Sequence, residues 1–267
     1  MKMDAFIYSS HEVIEFPQKS QFKMHTHDHY EILCFLSGDA DYMVEGHRYR
    51  LQRGDLMVMR KGEVHHMQLR SQARYERCYV HFNEACVQEL DPEGRLLSPF
   101  HDRPLGKYNQ FKASLFPDRL WRYYLEKICS YEDPYRKRYY LLTLLNELAE
   151  CFEAVKASEQ GQAPDRAAVV MNYINRHLTE ELSLSILAER FNISKTYLNE
   201  LFKQSAGTTV WHYVMVKRLV TARERIQAGE TPTSVCTDCG FQDYTTFYRA
   251  YKQHFGVSPR ADHPRKK

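Results

Sequence analysis

The sequence predicts an α+β chain of two domains, a β-barrel followed by an all-α domain. Three observations predict it. Residues 1–100 carry short alternating segments between glycine turns. From residue 117 onward, apolar residues recur at helical spacing. The last hundred residues contain one helical unit written twice. The 267 residues are enough for two domains of roughly 100–200 residues each.

Composition narrows the class. Hydrophobic residues make up 43% and charged residues 27%, which excludes a collagen-like or disordered chain. No stretch approaches the roughly 20 apolar residues of a membrane span. Met1–Ser10 lacks a charged leader followed by an apolar core. A cytoplasmic protein without a membrane partner is expected. The seven cysteines are odd in number and scattered, a poor disulfide framework. Cys236 and Cys239 form one CxxC with no second ligand pair nearby. They read as small residues on a buried helix face and not as a zinc site.

The barrel is read from Ala40–Val44, Tyr49–Leu51 and Leu56–Met59, separated by Gly38, Glu45-Gly46 and Arg53-Gly54. Tyr75–Phe82 is a further strand. Tyr75, Arg77, Tyr79 and His81 alternate with Glu76, Cys78, Val80 and Phe82. One reading turns Arg77, Tyr79 and His81 into the barrel as a polar wall for a polyol or carboxylate. The other turns Cys78, Val80 and Phe82 inward as core.

Two helices follow over 117–157, the first starting at Pro117-Asp118 and broken by Asp133-Pro134. In the second, Tyr140, Leu141, Leu144, Leu145, Leu148 and Phe152 form an amphipathic stripe. It suits either the chain's own barrel or a second copy, and residues 108–157 are assigned to dimerisation, with 1–107 as the sensing barrel. Residues 158–165 are small, polar and contain Gly and Pro, which reads as a linker. The helical domain is 166–267.

The repeat lies in that domain. Leu187–Gly207 (LAERFNISKTYLNELFKQSAG) and Val235–Gly256 (VCTDCGFQDYTTFYRAYKQHFG) share an aromatic-Lys-Gln-x-x-Gly ending, offset by 49 residues there and 48 at the start. Each copy reads as helix, tight turn, helix. Ser194 caps the second helix of copy one, and Asp243 or Gln242 that of copy two. Burying Leu198, Leu201 and Phe202 exposes Lys195, Thr196, Asn199, Glu200 and Lys203. Burying Phe247, Ala250 and Tyr251 exposes Tyr244, Thr245, Tyr248, Arg249 and Lys252. Short polar or forked side chains can reach base edges, and lysines suit phosphates. Charge points the same way. Residues 165–267 hold 15 Lys and Arg against 10 Asp and Glu, whereas 1–164 hold 22 against 24.

These words resemble the DNA-binding domain of the AraC/XylS family of bacterial transcription regulators. The matching runs are 182–209, the linker-helix segment 214–228 (VMVKRLVTARERIQA) and 240–259 (GFQDYTTFYRAYKQHFGVSP). Two departures stand out. Cys236 replaces the usual Ala, and the end reads Ser-Pro-Arg-Ala-Asp-His in place of Ser-Pro-x-x-Tyr-Arg. The resemblance implies base reading by Thr196, Asn199 and Glu200 in the first recognition helix, and by Tyr244, Thr245, Tyr248 and Arg249 in the second. It also implies double-stranded DNA, a small-molecule effector, a homodimer and RNA polymerase as partners.

The N-terminal part resembles the two motifs of the cupin barrel. Residues 25–31 read HTHDHYE, with Gly38 after six residues, and Gly54-x5-Arg60-x-Gly62-x2-His65 follows, with Arg60 in place of Pro. On a strand, His25 and His27 point the same way, and His29 and Glu31 share the phase if the strand continues. The expected effector pocket is His25, His27, Glu31, His65, Arg77, Tyr79 and His81, for a sugar- or carboxylate-like molecule with no required cofactor. A divalent transition metal on His25, His27, Glu31 and His65 is the alternative. No phosphate loop, G-x-S-x-G elbow or H-E-x-x-H is present, so no catalytic role is expected. The rival readings are a metal-dependent cupin enzyme with a DNA-binding appendage and a ligand-independent DNA-binding dimer.

Overall fold

A computed structural model describes residues 5–116, 118, 120–159 and 165–264. Pro117 and most of the expected linker, 160–164, lie outside the described residues. The chain divides into two compact units, the division falling in sequence between Asp165 and Arg166.

The first unit is two antiparallel sheets sharing one core. Its strands are β1 (Ile7–Ile14), β2 (Tyr30–Ser37), β3 (Ala40–Val44), β4 (His47–Arg50), β5 (Leu56–Met59), β6 (His65–Leu69), β7 (Tyr75–Phe82) and β8 (Gln110–Phe111). One sheet runs β1-β7-β2-β5-β8 and the other β4-β3-β6. The Glu45-Gly46 turn joins β3 to β4 with both residues at positive φ, the geometry of a two-residue hairpin. Leu33, Phe35, Met57 and Tyr75 of the first sheet meet Tyr42, Val44, Tyr49 and Met67 of the second, and together they fill the space between the sheets.

The large sheet has a second apolar face. Cys78, Val80 and Phe82 of β7 and Ile32 and Cys34 of β2 join a core built with two helices, α2 (Leu120–Ser130) and α3 (Pro134–Glu159), which follow a single-turn α1 (Ser98–His101). The two readings of β7 are therefore both realised, one on each face of the strand. Asp133 starts α3 by accepting hydrogen bonds from the Tyr135 and Arg136 amides at 2.8 and 3.2 Å, with Pro134 in the first turn.

The leucine stripe of α3 is buried in this second core. Leu141, Leu144, Leu145 and Leu148 are 0% exposed and Phe152 is 2% exposed. This corrects the assignment of the stripe to dimerisation. A sheet apolar on both faces needs a cover on the outer one, and α3 supplies it. Burying these five side chains contributes on the order of 10 kcal/mol.

The second unit is all helical: α4 (Arg166–Arg176), α5 (Leu184–Arg190), α6 (Lys195–Ala206), α7 (Val210–Gln227), α8 (Pro232–Asp238), α9 (Tyr244–Phe255) and α10 (Pro259–Asp262). α5–α6 and α8–α9 are the two copies of the repeat, joined by α7. Among the described residues, no helix is long and apolar enough to cross a membrane.

Candidate nucleic-acid interface and barrel-mouth site

Capping places both outward helices of the repeat. Ser194 accepts a hydrogen bond from the Tyr197 amide at 3.1 Å, and Asp243 one from the Thr246 amide at 2.8 Å. Gly207 and Gly256 close the two helices in the left-handed conformation. Leu198, Leu201 and Phe202 of α6 and Phe247 and Tyr251 of α9 are buried, while Ala250 is half-buried. On the opposite faces, Lys195, Thr196, Glu200 and Lys203 are exposed and Asn199 is half-buried. Tyr244, Thr245, Tyr248, Arg249 and Lys252 are all exposed. The structure thus gathers the ten expected residues onto two outward faces.

Other residues hold those faces rigid. Arg218 of α7 is buried, and its guanidinium donates to the carbonyls of Leu178 and Glu180 at 2.8 and 2.9 Å and of Gly240 at 2.7 Å. Gly240 forms the turn of the second copy at φ +80, and a Cβ there would lie 2.8 Å from the guanidinium carbon. Glycine is required at this turn by both the backbone and the arginine. In the C-terminal run that departs from the family pattern, Asp262 accepts from Arg223 Nε at 2.9 Å and from the Tyr251 hydroxyl at 2.8 Å. Cys236 and Cys239 are buried in the core of the second copy. Tyr197, 41% exposed beside the expected base readers on α6, carries Arg166 over its ring and was not singled out by spacing.

The barrel site is built differently. Residues 25–29 do not form a strand. They hold one isolated bridge, His25 to His65, before β2 begins at Tyr30. The expected alternation of His25, His27 and His29 on one strand is corrected by this irregular path. His27 and Glu31 still meet at 2.8 Å, because the bend after His27 turns its ring back over β2. β6 brings His65 to the same carboxylate oxygen at 3.4 Å. The register of β2 against β7 sets Glu31 opposite His81, whose Nε2 lies 3.3 Å from that oxygen. His29 stacks on His27 at 4.0 Å between ring centroids and lies 4.4 Å from His81.

Burial by itself would raise the Glu31 carboxyl, but hydrogen bonds from His27, His65 and His81 hold it well below the usual carboxylate range. Burial pushes His27 down to about 4, against the opposing pull of Glu31. Glu31 and His65 are buried, and His25 is exposed at the rim, so the cluster lies at a mouth and not deep in the barrel.

Arg77 and Tyr79 do face the interior, but their polar ends are taken. Glu12 of β1 accepts from Arg77 at 2.9 Å and from the Tyr79 hydroxyl at 2.9 Å. Arg60 does not line the mouth as a free charge. Its guanidinium donates to the Arg103 carbonyl and lies 3.8 Å from Glu63. Glu63 and Arg103 are a fully buried pair at 2.6 Å. Burial would raise the Glu63 carboxyl, but Arg103 outweighs it and holds Glu63 at about 2.

The chemistry of the donor set fits a divalent transition metal, since neutral imidazoles and one carboxylate suit such an ion. Candidate ligands among the described residues fall in two groups, His25, Glu31 and His65, and His27, His29 and His81.

Comparison with known proteins is consistent with both units. Residues 11–113 match the family model of the AraC-like ligand binding domain, and residues 187–263 match a helix-turn-helix domain. Over 92 residues, 34% of this chain and 37% of the relative, the chain is 33% identical to a probable transcriptional regulator, LumQ, of Photobacterium leiognathi. It is 23% identical to the transcriptional activator RhaR of Pectobacterium atrosepticum over 90% of this chain and 85% of that protein. It is also 23% identical to the transcriptional activator RhaS of Escherichia coli over 91% of this chain and 87% of that protein. With a ligand-binding model matched across the barrel and a helix-turn-helix model across the repeat, the chain belongs to the AraC family of DNA-binding transcription regulators.

Proposed function

We propose that this protein is a sequence-specific transcription activator, not an enzyme, whose barrel couples a small-molecule signal to promoter binding. The observation that carries the reading is the pair of capped helices, α6 and α9, with base-sized polar side chains on their outward faces. Two such helices held by one α7 suit successive major-groove segments about 34 Å apart. Asn199 suits adenine, Arg249 guanine, and Glu200 the amino group of cytosine. Lys203 and Lys252 suit phosphates.

The small molecule binds at the histidine-lined mouth, because the space behind it is filled by Leu33, Tyr42, Met57 and Met67. Its effect on DNA follows from linkage: a ligand that favours one arrangement shifts the population competent for DNA. The protein acts as a homodimer at promoters and recruits RNA polymerase. Self-association uses the outward tyrosines Tyr123, Tyr135 and Tyr139, which the buried leucine stripe leaves exposed.

The test is selection of bound sequences from random DNA by the wild type and by Arg249→Ala. The wild type should yield one enriched motif. Arg249→Ala should lose about 1–3 kcal/mol on that motif and relax one base pair. Equal loss on every sequence would make Arg249 a phosphate contact, and no enriched motif would reject the reading.

A further inference from the structure

The spacing of the seven cysteines sets no disulfide framework, yet the fold gathers three of them. The β2–β7 register sets Cys34 opposite Cys78, and the β1–β7 register sets His11 opposite Cys78 from the other side. Residues directly opposite in a ladder share one face of the sheet, so His11, Cys78 and Cys34 form one row. That face is the one covered by helices, and Cys34 and Cys78 are buried in the core there. α2 completes the group, because its half-buried Cys129 packs against the same core. Ser9 of β1 fixes this end of α2. Its hydroxyl donates to the Ile128 carbonyl at 3.0 Å and accepts from Lys137 Nζ of α3 at 3.1 Å. The Cys78 and Cys129 thiols are then side by side, within hydrogen-bonding reach of each other.

The three thiols are not equivalent. Burial pushes the Cys34 thiol up, and the hydrogen bond to Cys129 together with burial does the same to Cys78. Cys129 goes the other way, down to about 7: the hydrogen bond from Cys78 leads, against burial, and His11, Ser9 and Lys137 add to it. Glu76, on the same face, is taken up by His11 at 2.9 Å and Arg74 at 2.7 Å. Cys86, Cys151, Cys236 and Cys239 are all pushed up, each chiefly by burial. The thiolate is the reactive form of cysteine, and an accessible thiolate beside a second thiol is poised for oxidation.

We propose that Cys129 and Cys78 form a redox modification site for hydrogen peroxide, closing into a disulfide that ties α2 to β7. The Cys129 sulfur, the half-buried one of the pair, attacks one peroxide oxygen. The S–O bond forms, the O–O bond breaks, and hydroxide leaves and takes up a proton as water. Cys78 then attacks the Cys129 sulfur. The S–S bond forms, the S–O bond breaks, and the second hydroxide leaves with the Cys78 proton as water. Two thiols are oxidised by two electrons in all, and the peroxide is reduced to two waters. Cys34, 1% exposed, takes no part.

The test uses the full chain, reduced, freed of reductant and treated stepwise with hydrogen peroxide. Wild type should lose two of its seven thiols. Proteolysis without reductant should then yield a peptide pair joining Cys78 to Cys129, and dithiothreitol should separate it. Cys129→Ser should slow thiol loss by about 10-fold or more. Cys78→Ala should leave Cys129 unlinked, to be carried on to sulfinic acid by excess peroxide. Cys34→Ala should still form the link. Circular dichroism checks the fold of each variant, and the wild-type peptide map decides the pairing without any of them. A map that joins another pair, or that finds Cys78 and Cys129 still reduced, overturns the site. A folded Cys129→Ser that loses thiols as fast as wild type overturns the role of Cys129. A folded Cys34→Ala that no longer forms the link overturns the assignment of Cys78 as the resolving thiol.

Discussion

In the barrel unit, Glu63 and His65 are 0% exposed, Glu31 is 4% and Arg103 is 6%. In the helical unit, Lys217 and Arg218 are the buried charged side chains among the described residues, and the residues expected to meet DNA lie on its surface. The two units keep their charge in opposite places. The barrel keeps ionisable groups inside, where a low effective dielectric makes their pairing strong and their protonation consequential. The helical unit keeps its interior as a scaffold and reads an external polyanion. The barrel's stability should therefore answer to pH and to ions, and the helical unit's behaviour mainly to salt.

The largest expected effect tests which core owns α3. Leu148→Glu places a charge without a partner in the helix–sheet core and should cost more than about 4 kcal/mol. Denaturant unfolding should show the barrel unit lost and the helical unit intact. A folded monomer of normal stability would return the stripe to a dimer interface.

Next is the buried pair. Arg103→Ala removes the cation paired directly with buried Glu63, leaving Arg60 at 3.8 Å, and should destabilise the barrel by about 3–5 kcal/mol, with the same separation between units. A shift under about 1 kcal/mol would make the pair dispensable.

Acid tests the same group without a mutation. Because Glu63 is held at about 2, below its ordinary 4.5, its contribution is fully present above pH 4.5. It is lost as pH falls through 2, and amounts to about 3 kcal/mol in all. Acid unfolding followed by near-ultraviolet circular dichroism should weaken the barrel across that window. The contribution of Glu63 should vanish from the pH profile of Glu63→Gln.

In the helical unit, Gly240→Ala should cost about 2 kcal/mol, because it forces a side chain into the left-handed region and against Arg218. DNA affinity should fall through misplacement of α9 while the barrel melts normally. The smallest effect is Lys203→Ala. Its stability change should stay within about 0.5 kcal/mol, and the salt dependence of DNA binding should lose roughly one unit of slope. If specificity changes instead, Lys203 meets a base.

Much of the helical unit was legible in the sequence. The Ser194 and Asp243 caps, the glycine closures and the buried faces of α6 and α9 all follow from residues three or four apart. The barrel was legible only in part. Ala40–Val44, Leu56–Met59 and Tyr75–Phe82 read correctly as strands. β2 did not, because its run Tyr30–Leu36 is covered on both faces and shows no alternation. β1 is a polar edge strand and gave no apolar signal either.

By itself, the sequence determined what short-range geometry controls: the doubled helical unit, its turns, its outward residues and the spacing of His25, His27, Glu31 and His65. Tertiary structure decided which faces meet. It buried the leucine stripe against the chain's own sheet, gave Arg77 and Tyr79 to Glu12, and carried His81 to Glu31 from fifty residues away. The reason is the hydrogen-bond pattern of the two architectures. A helix bonds to its own nearby residues, so its faces are written locally, whereas a strand bonds to whichever distant strand the register places beside it.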